Sequence, residues 1–356
     1  MSDWLKLQYK RIKRLPMHSL IRNLTTWSPL ENANSGYTIV IGCMRDLAPL
    51  AAANLRLIGL QDLSNAREIV LVFDCHLDDV PKIIHDRIRE LESKIKIRLI
   101  GYSKYQVFIT HLINWGWVYS WLSWSTGVAN ANTKYVILHD LDAMPLKQDL
   151  FESIYQNIIH SGGQFHGVRQ RAEYPKADER VLAATFELAI DIEYLRNNFS
   201  PFDVFNKLRM VDGQYVDFDT FLYIQWHSPN CRVTPIKDED LVHPSQLICL
   251  YTDFLAGRNS FEKMNHNLLV LPYFMYFGGE ESALGSIASR LSNTRSRSVP
   301  FKGKDLPIGG VIPQHWAWMD AQIRRLEKAQ FGTTRPEVEK YLEGFVQRAG
   351  THQSAH

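Results

Sequence analysis

Short apolar runs alternate with segments of helical spacing from about residue 37 onward. A continuous run of four to eight apolar residues is typical of a buried strand, whereas apolar residues three or four apart are typical of a helix. The pattern predicts strands at 37–43, 68–74, 94–102 and 135–138, separated by helices at 47–60, 80–93 and 107–130. This order predicts a doubly wound α/β sheet whose ligands bind at the carboxyl ends of its strands.

The pattern is less regular beyond residue 150. In chain order it predicts a short strand, one long helix, a second helix, a long mobile loop and two closing helices, at 163–170, 181–199, 217–227, 285–313, 314–332 and 335–350. Asp219 is expected to cap the second helix, because its side chain can accept from a free N–H group of the first turn. The loop is predicted from its content of Gly, Ser and Pro.

The composition is that of an ordinary folded protein and excludes several classes. Of the 356 residues, 45% are hydrophobic and 22% are charged, as in globular chains. The net charge of +2 predicts no nucleic-acid partner, and no apolar run is long enough for a membrane span. Since the four cysteines lack C-x-x-C spacing, we expect no zinc site and a reducing, cytoplasmic location.

Basic residues dominate the first 22 positions, where only Asp3 is acidic. Leu5, Tyr9 and Ile12 recur there at helical spacing. One interpretation is a solvated surface helix. The other is a basic amphipathic helix that makes peripheral contact with the anionic inner face of a membrane. The basic residues are Lys6, Lys10, Arg11, Lys13, Arg14 and Arg22.

Two aspartates, Asp140 and Asp142, follow the fourth predicted strand. They are one residue apart, so an extended chain directs both carboxylates to one face. Crowded carboxylates repel each other and lose solvation unless a cation or hydrogen bonds compensate. Mg²⁺ and Mn²⁺ prefer carboxylate oxygens and often share their ligand shell with phosphates, so the pair predicts a divalent metal site. The alternative is that Asp142 only caps a turn.

The stretch STGVANANTKYVILHDLDAMPL, residues 125–146, resembles the region around the D-x-D motif of glycosyltransferases of the GT-A fold. In that family a helix of small residues precedes a strand that ends in the metal-binding pair. YTIVIGCMRD and EIVLVFDCHLDD are similar to the family's first two strands, whose ends hold the nucleoside. The resemblance covers about residues 37–245. It implies a GT-A-like, Rossmann-type doubly wound mixed sheet with helices on both faces, followed by a helical C-terminal extension.

The resemblance implies a metal-dependent enzyme of the hexosyltransferase type. Such an enzyme moves a sugar from a nucleoside-diphosphate donor to a hydroxyl group of a glycan, a lipid-linked acceptor or a small molecule. We divide the chain accordingly into a basic N-terminal segment, a nucleotide-sugar-binding half, an acceptor-binding and catalytic half, and a flexible basic loop with C-terminal helices, at 1–35, 36–150, 151–284 and 285–356.

The resemblance also implies roles for individual residues. Asp142 is then the main ligand of Mn²⁺ or Mg²⁺, and Asp140 contacts the metal or the ribose. Arg45, Asp46 and Asp74 are expected near the nucleoside of the donor. All of them follow predicted strands, as a polar site at the carboxyl edge of the sheet requires.

Two further elements of the family can be sought beyond the D-x-D motif. Its acidic helix start falls on VDFDTFLYIQ, where Phe218 replaces the first acid. We therefore assign the catalytic base to Asp219 and keep Asp217 as the reserve. A base here implies inversion at the anomeric carbon, although retention stays open. His243, in DLVHPSQ, is expected to complete the metal shell ahead of His315.

Two other functions remain alternatives. A phosphatase of the haloacid dehalogenase type also uses D-x-D at a strand end, but there the motif typically opens the fold and continues into Thr or Val. Here it follows three earlier predicted strands and continues into Ala143 and Met144. A non-catalytic protein that binds a nucleotide sugar or a glycan on the same fold is the second alternative.

Overall fold

The computed structural model describes residues 2–171, 174, 181–258 and 262–351. None of the helices in these ranges combines the length and apolar character that crossing a bilayer requires. The helices are α1 Asp3–Ile21, α2 Ala48–Ile58, α3 Lys82–Leu91, α4 Lys104–Ile113, α5 Gly116–Asn130, α6 Leu150–Ser161, α7 Ile192–Asn198, α8 Leu222–Trp226, α9 Leu247–Leu255, α10 Leu271–Phe277, α11 Gly285–Leu291, α12 Pro313–Phe331 and α13 Pro336–Thr351.

The strands follow the alternation predicted up to about residue 150, and shorter strands occur beyond it. They are β1 Asn34–Cys43, β2 Ala66–Phe73, β3 Lys96–Gly101, β4 Thr133–His139, β5 Met144–Pro145, β6 Phe165–Gly167, β7 Leu188–Asp191, β8 Lys207–Val211, β9 Gln214–Phe218, β10 Cys231–Val233, β11 Leu241–Val242, β12 Ser298–Phe301 and β13 Lys304–Pro307. Segments of 3₁₀ helix occur at Arg45–Leu47, Leu77–Asp79, Glu262–Leu269 and Glu281–Ala283.

A mixed sheet of seven strands has the order β10-β6-β7-β4-β1-β2-β3. Strands β4, β1, β2 and β3 are parallel, and β7 runs antiparallel to both β4 and β6. The chain leaves β1 toward β2 and β3 and later returns to β4 on the other side of β1. This reversal makes the carboxyl ends of β1 and β4 the switch point at which ligands bind in such sheets.

Helices cover both faces of the sheet. Successive residues of β1 point to opposite sides, so β1 presents side chains to the helices on each face. On one side α5 approaches closely: a Cβ added at Gly127 would lie 2.2 Å from a Val40 methyl group. On the other side Tyr37 packs against Tyr155 of α6 with ring centroids 5.0 Å apart. The predicted fold class, a doubly wound mixed α/β sheet with a helical C-terminal extension, is confirmed.

The chain divides into two structural units. The first unit contains the seven-stranded sheet with α1 and α3–α8, and the second contains α2, the β5–β11 ladder and the helices from α9 onward. The four-part functional division made from the sequence stays a prediction. The units comprise Met1–Asp46, Gln61–Leu141 and Lys147–Lys237 in the first, and Leu47–Leu60, Asp142–Leu146 and Asp238–His356 in the second.

The long helix predicted for 181–199 is wrong. Leu188–Asp191 forms β7, which is buried between β4 and β6, and only Ile192–Asn198 is helical. Pairing within the sheet outweighs the helical spacing of this stretch, as tertiary contacts often outweigh local propensity. The side chain of Asp191 caps α7 by accepting from the Tyr194 N–H group at 2.9 Å.

The mobile loop predicted for 285–313 is also wrong. This stretch forms α11 and the antiparallel hairpin β12–β13. Arg348 of α13 supplies the reason, because its guanidinium donates to backbone carbonyl oxygens on both sides of the turn that follows α11. A planar group with five donors can replace the missing secondary-structure partners of such a segment. The two predicted closing helices correspond to α12 and α13.

Candidate metal site

Asp140 and Asp142 lie in the loop between β4 and β5, where the buried strand ends. The side chain of Asp142 is only 5% exposed. The backbone beside it is fixed by α2, whose buried Asn54 donates from Nδ2 to the Ala143 carbonyl oxygen at 2.9 Å. The loop therefore holds the second aspartate in a buried and well-supported position.

His243 is brought to this loop by a two-residue ladder. Strand β11 pairs antiparallel with β5, so that Val242 lies opposite Met144. The residue that follows β11 must then lie beside the residues that precede β5. As a result, His243 Nε2 lies 3.7 Å from an Asp142 carboxylate oxygen.

Together, Asp140, Asp142 and His243 offer three ligand atoms within 4.8 Å of one another. Asp140 lies close to Asp142 because it precedes it by only two residues in the same loop. Two carboxylates and an imidazole are ligands that Mn²⁺ accepts, and carboxylates are the preferred ligands of Mg²⁺. A nearby cation also compensates a buried carboxylate for its lost solvation. The three residues fit a divalent cation.

His315, the competing histidine, lies in the first turn of α12 and stacks on another ring. Its imidazole is parallel to that of His266, with centroids 3.6 Å apart. Among the described residues, the group of potential metal ligands contains His243 and does not contain His315. The preference for His243 over His315 is therefore consistent with the geometry, while its role as a ligand stays a prediction.

Arg45, Asp46 and Asp74 meet at the carboxyl ends of β1 and β2. The Arg45 N–H group donates to Asp74 Oδ1 at 2.7 Å, and the Asp74 N–H group donates to the Cys43 carbonyl oxygen at 3.0 Å. Burial raises the pKa of Asp74 to about 6, and the nearby negative charge of Asp46 acts in the same direction. The residues expected at the nucleoside are thus grouped at one edge of the sheet.

Asp217 and Asp219 lie at the end of the β8–β9 hairpin. The prediction that Asp219 caps a helix is wrong. Helix α8 begins three residues later, at Leu222, and its N-cap is Phe221. Instead, Asp219 Oδ1 accepts from the Thr220 N–H group at 2.7 Å, and Arg171 lies 3.3 Å from Oδ2. Burial raises the pKa of Asp219 above its ordinary value, although these contacts oppose the shift.

Asp217 is held in a different way, by two cations of α1. Arg14 binds both carboxylate oxygens, at 3.0 and 2.8 Å, and Lys10 Nζ lies 3.9 Å away. The Tyr215 hydroxyl donates to the same carboxylate at 3.3 Å. A forked arginine contact of this kind is among the stronger charged interactions in proteins. Asp217 therefore anchors the N-terminal helix to the hairpin.

One pair beside the D-x-D loop was missed by reasoning from the sequence. His139, the last residue of β4, is hydrogen-bonded through Nδ1 to the Glu187 carboxylate, and both side chains are fully buried. The contact fixes the end of β4 directly before Asp140. The sequence gives no signal for this pair, because its pattern predicts a helix over 181–199, where Glu187 lies.

No protein-family profile and no curated protein sequence matches the chain. Among solved structures, it is similar to the mannosyltransferase PcManGT from Pyrobaculum calidifontis in complex with GDP-Man and Mn²⁺, with 14% identity over 99% of this chain and 97% of that one and a TM-score of 0.40. It is also similar to the galactosyltransferase LgtC in complex with donor and acceptor sugar analogues, with 10% identity over 57% and 74% and a TM-score of 0.40.

A third similar structure is that of residues 1–349 of S. aureus TarS, with 10% identity over 90% of this chain and 92% of that one and a TM-score of 0.37. Identities and TM-scores at this level carry no conclusion about activity.

Proposed function

We propose that the protein is a metal-dependent glycosyltransferase, which moves a sugar from a nucleoside-diphosphate donor to a hydroxyl acceptor. The observation that supports this best is the convergence of Asp140, Asp142 and His243 at the end of a buried strand of an α/β sheet. A site of two carboxylates and one imidazole is suited to Mn²⁺ or Mg²⁺. When bound, the cation supplies positive charge that stabilises the departing diphosphate.

The donor nucleoside is assigned to the ends of β1 and β2. Arg45 can donate to a phosphate or a ribose oxygen, and Asp46 and Asp74 can accept from ribose hydroxyls or base amino groups. The exposure of Arg45 and Asp46 at the switch-point edge supports this assignment. Uridine and guanosine diphosphate sugars are both candidate donors, since the similar structures include TarS 1–349 in complex with UDP and PcManGT in complex with GDP-Man.

Asp219 is the proposed general base. It accepts the proton of the acceptor hydroxyl as the oxygen attacks the anomeric carbon, while Arg171 and Asn206 keep its carboxylate in place. Its raised pKa makes the carboxylate a stronger proton acceptor than an exposed aspartate. Direct attack by an activated hydroxyl implies inversion. Asp217 is a poorer candidate, because Arg14 occupies both of its oxygens.

The acceptor is proposed to be a hydroxyl group of a glycan, a lipid-linked sugar or a small molecule. We propose a cytoplasmic location, in agreement with the four free cysteines, three of which are buried. Neither assignment is needed for the chemistry of the site.

A thermal-shift screen of UDP, GDP and their sugars, with Mn²⁺ or with EDTA, tests the proposal. A ligand at about 100 times its Kd stabilises the folded state by about 2.7 kcal/mol, so one nucleotide should raise the unfolding temperature only when metal is present. The matching donor should then be consumed in the presence of an acceptor. Binding without consumption would support the non-catalytic alternative, and no metal-dependent binding of any nucleotide would contradict the proposal.

A further inference from the structure

The outward side of α1 carries a row of exposed apolar side chains. Leu5, Tyr9 and Ile12 recur at spacings of four and three residues, and Ile12 is 67% exposed. Trp4 and Leu15 extend the row on its border and are also exposed. A surface helix of a water-soluble domain normally turns such a row toward the core. The row on α1 points away from it.

The inward side of the same helix is already occupied, so the exposed row is a second apolar side. Leu7 and Ile21 are buried in the first unit. Arg14 binds Asp217, and Arg11 donates to the Leu208 carbonyl oxygen at 3.3 Å. The helix is therefore held against the β8–β9 hairpin through one side, and the opposite side is free to meet a partner.

Helix α4 contacts α1 and adds a second exposed apolar row. Tyr105, Phe108 and Leu112 recur at spacings of three and four residues, and Phe108 is 63% exposed. The Gln106 side chain of α4 donates to the carbonyl oxygen of Leu24, three residues beyond the end of α1, at 2.7 Å. We refer to the two rows together as the α1–α4 apolar surface, formed by Trp4, Leu5, Tyr9, Ile12, Leu15, Tyr105, Phe108 and Leu112.

The charges beside this surface indicate what covers it. Helix α1 carries Lys6, Lys10, Arg11, Lys13 and Arg14 but only one acidic residue, Asp3. Lys6 and Lys13 border the apolar row by their position on the helix, and Lys104 begins α4. Apolar and aromatic side chains bordered by lysines characterise helices that lie in the interface of a bilayer with anionic lipids.

We propose that the α1–α4 apolar surface docks the protein on an anionic membrane. The apolar rows enter the boundary between headgroups and acyl chains, and the lysines lie at the level of the lipid phosphates. If the proposed function is correct, docking brings the hairpin that ends at Asp219 close to the bilayer, since the inner side of α1 holds that hairpin. The acceptor class that fits this arrangement is a sugar or hydroxyl linked to a lipid.

Co-sedimentation with vesicles tests the docking without any assay of activity. The protein should bind mixed vesicles of phosphatidylcholine and phosphatidylglycerol at low salt, and much less to phosphatidylcholine alone. The triple variant Leu5→Gln/Ile12→Gln/Leu15→Gln should bind at least about tenfold more weakly. Each lysine removed in Lys6→Gln/Lys13→Gln should weaken binding about fivefold, which corresponds to the ~1 kcal/mol of a basic residue near an anionic surface.

A matched control carries the same change at three exposed apolar positions elsewhere, Leu60→Gln/Ile159→Gln/Val346→Gln, and should bind vesicles like the parent. Undiminished binding of the α1 variant, or no preference of the parent for anionic vesicles, would overturn the proposal. So would a dimer in solution that the α1 variant converts to a monomer, because the surface would then join two copies. Vesicle binding without sugar transfer would contradict the proposed function and leave the docking intact.

Discussion

Two Asp-x-Asp pairs of the chain, Asp140/Asp142 and Asp217/Asp219, have different surroundings. Asp140 and Asp142 follow the buried strand β4, and the β5–β11 ladder brings His243 within 3.7 Å of Asp142. Asp217 and Asp219 end the β8–β9 hairpin, where Arg14 binds the first acid and Arg171 approaches the second. The first pair lies beside a further potential metal ligand, His243, whereas the second pair lies beside the guanidinium groups of Arg14 and Arg171.

This difference shows that the pattern alone does not determine the chemistry of a carboxylate pair. The two pairs have the same spacing, but the neighbouring elements decide whether the carboxylates meet further potential metal ligands or an arginine. Around the second pair, the contacts also separate the two acids. Asp217 is an anchor for α1, while burial raises the pKa of Asp219. Substitutions at the two pairs, at the two histidines and at Asp74 sharpen or break this comparison.

The largest effect is expected at Asp142. Asp142→Asn should lower metal-dependent transfer by about 1000-fold or more, because a metal acting on a leaving group contributes several kcal/mol to the transition state. Mn²⁺-dependent donor binding, measured by calorimetry, should be lost while circular dichroism stays unchanged. Asp86→Asn, at a partly exposed position of α3, is the control and should bind metal and donor like the parent. Transfer by Asp142→Asn at the parent rate would remove the metal hypothesis.

At the second pair, the two acids should respond differently. Asp219→Asn should lower the transfer rate about 100-fold or more and leave donor affinity unchanged, because the loss lies in proton transfer. Asp217→Asn should lower the folding stability through the loss of the Arg14 contact and change the rate much less. Single-turnover rates and donor binding of both variants give the comparison. The reverse pattern would assign the base to Asp217.

The pH dependence gives a second readout of Asp219. A base must be unprotonated, so the transfer rate should fall as the pH decreases through its pKa. Since burial raises that pKa, this fall should occur at a higher pH than the ordinary aspartate range. In Asp219→Asn the acidic limb should be absent from the residual rate. If the acidic limb of the pH–rate profile persists in Asp219→Asn, it reports the titration of another residue.

The two histidines offer a smaller effect and a matched pair. His243→Ala should weaken Mn²⁺ binding at least about tenfold, because it removes one donor and leaves the carboxylates in place. His315→Ala should leave Mn²⁺ affinity unchanged, since His315 stacks on His266 and is not part of the ligand group found among the described residues. Titration of the protein with Mn²⁺ by electron paramagnetic resonance measures both. If both variants bind Mn²⁺ with equal affinity, His243 is not a metal ligand and the two carboxylates are the protein's ligands.

Much of the fold could be predicted wherever the hydrophobic pattern was unambiguous. The buried strands from residue 37 to residue 139 consist of short apolar runs, and no other element fits such runs between helical segments. Asp140 and Asp142 were predictable for the same reason, because they follow one of these strands directly. Their position needed only the period of a strand and the known edge at which α/β sheets bind ligands.

The elements that depend on distant contacts could not be predicted. Strand β7 has only four residues, and its pairing with β4 and β6 decides its conformation. The segment after α11 is ordered by Arg348, more than fifty positions away from the carbonyl groups it binds. The Asp217–Arg14 contact joins residues 203 positions apart, and no local pattern announces it. These features arise from packing and not from propensity.

The smallest effect is expected at Asp74, a half-buried acid that follows β2. Burial raises its pKa from 3.8 to about 6, so the folded state holds the proton more tightly than the unfolded state does. The free energy of unfolding must therefore decrease as the pH rises from about 4 to about 6, and the loss persists above that range.

Asp74→Asn removes the charge but keeps an oxygen that can accept from the Arg45 N–H group. The variant should be more stable than the parent by about 1–2 kcal/mol at pH 8 and equal to it at pH 4. Urea unfolding of the ligand-free protein at both pH values measures this difference, and an equal gain at both would show that ionisation is not its cause.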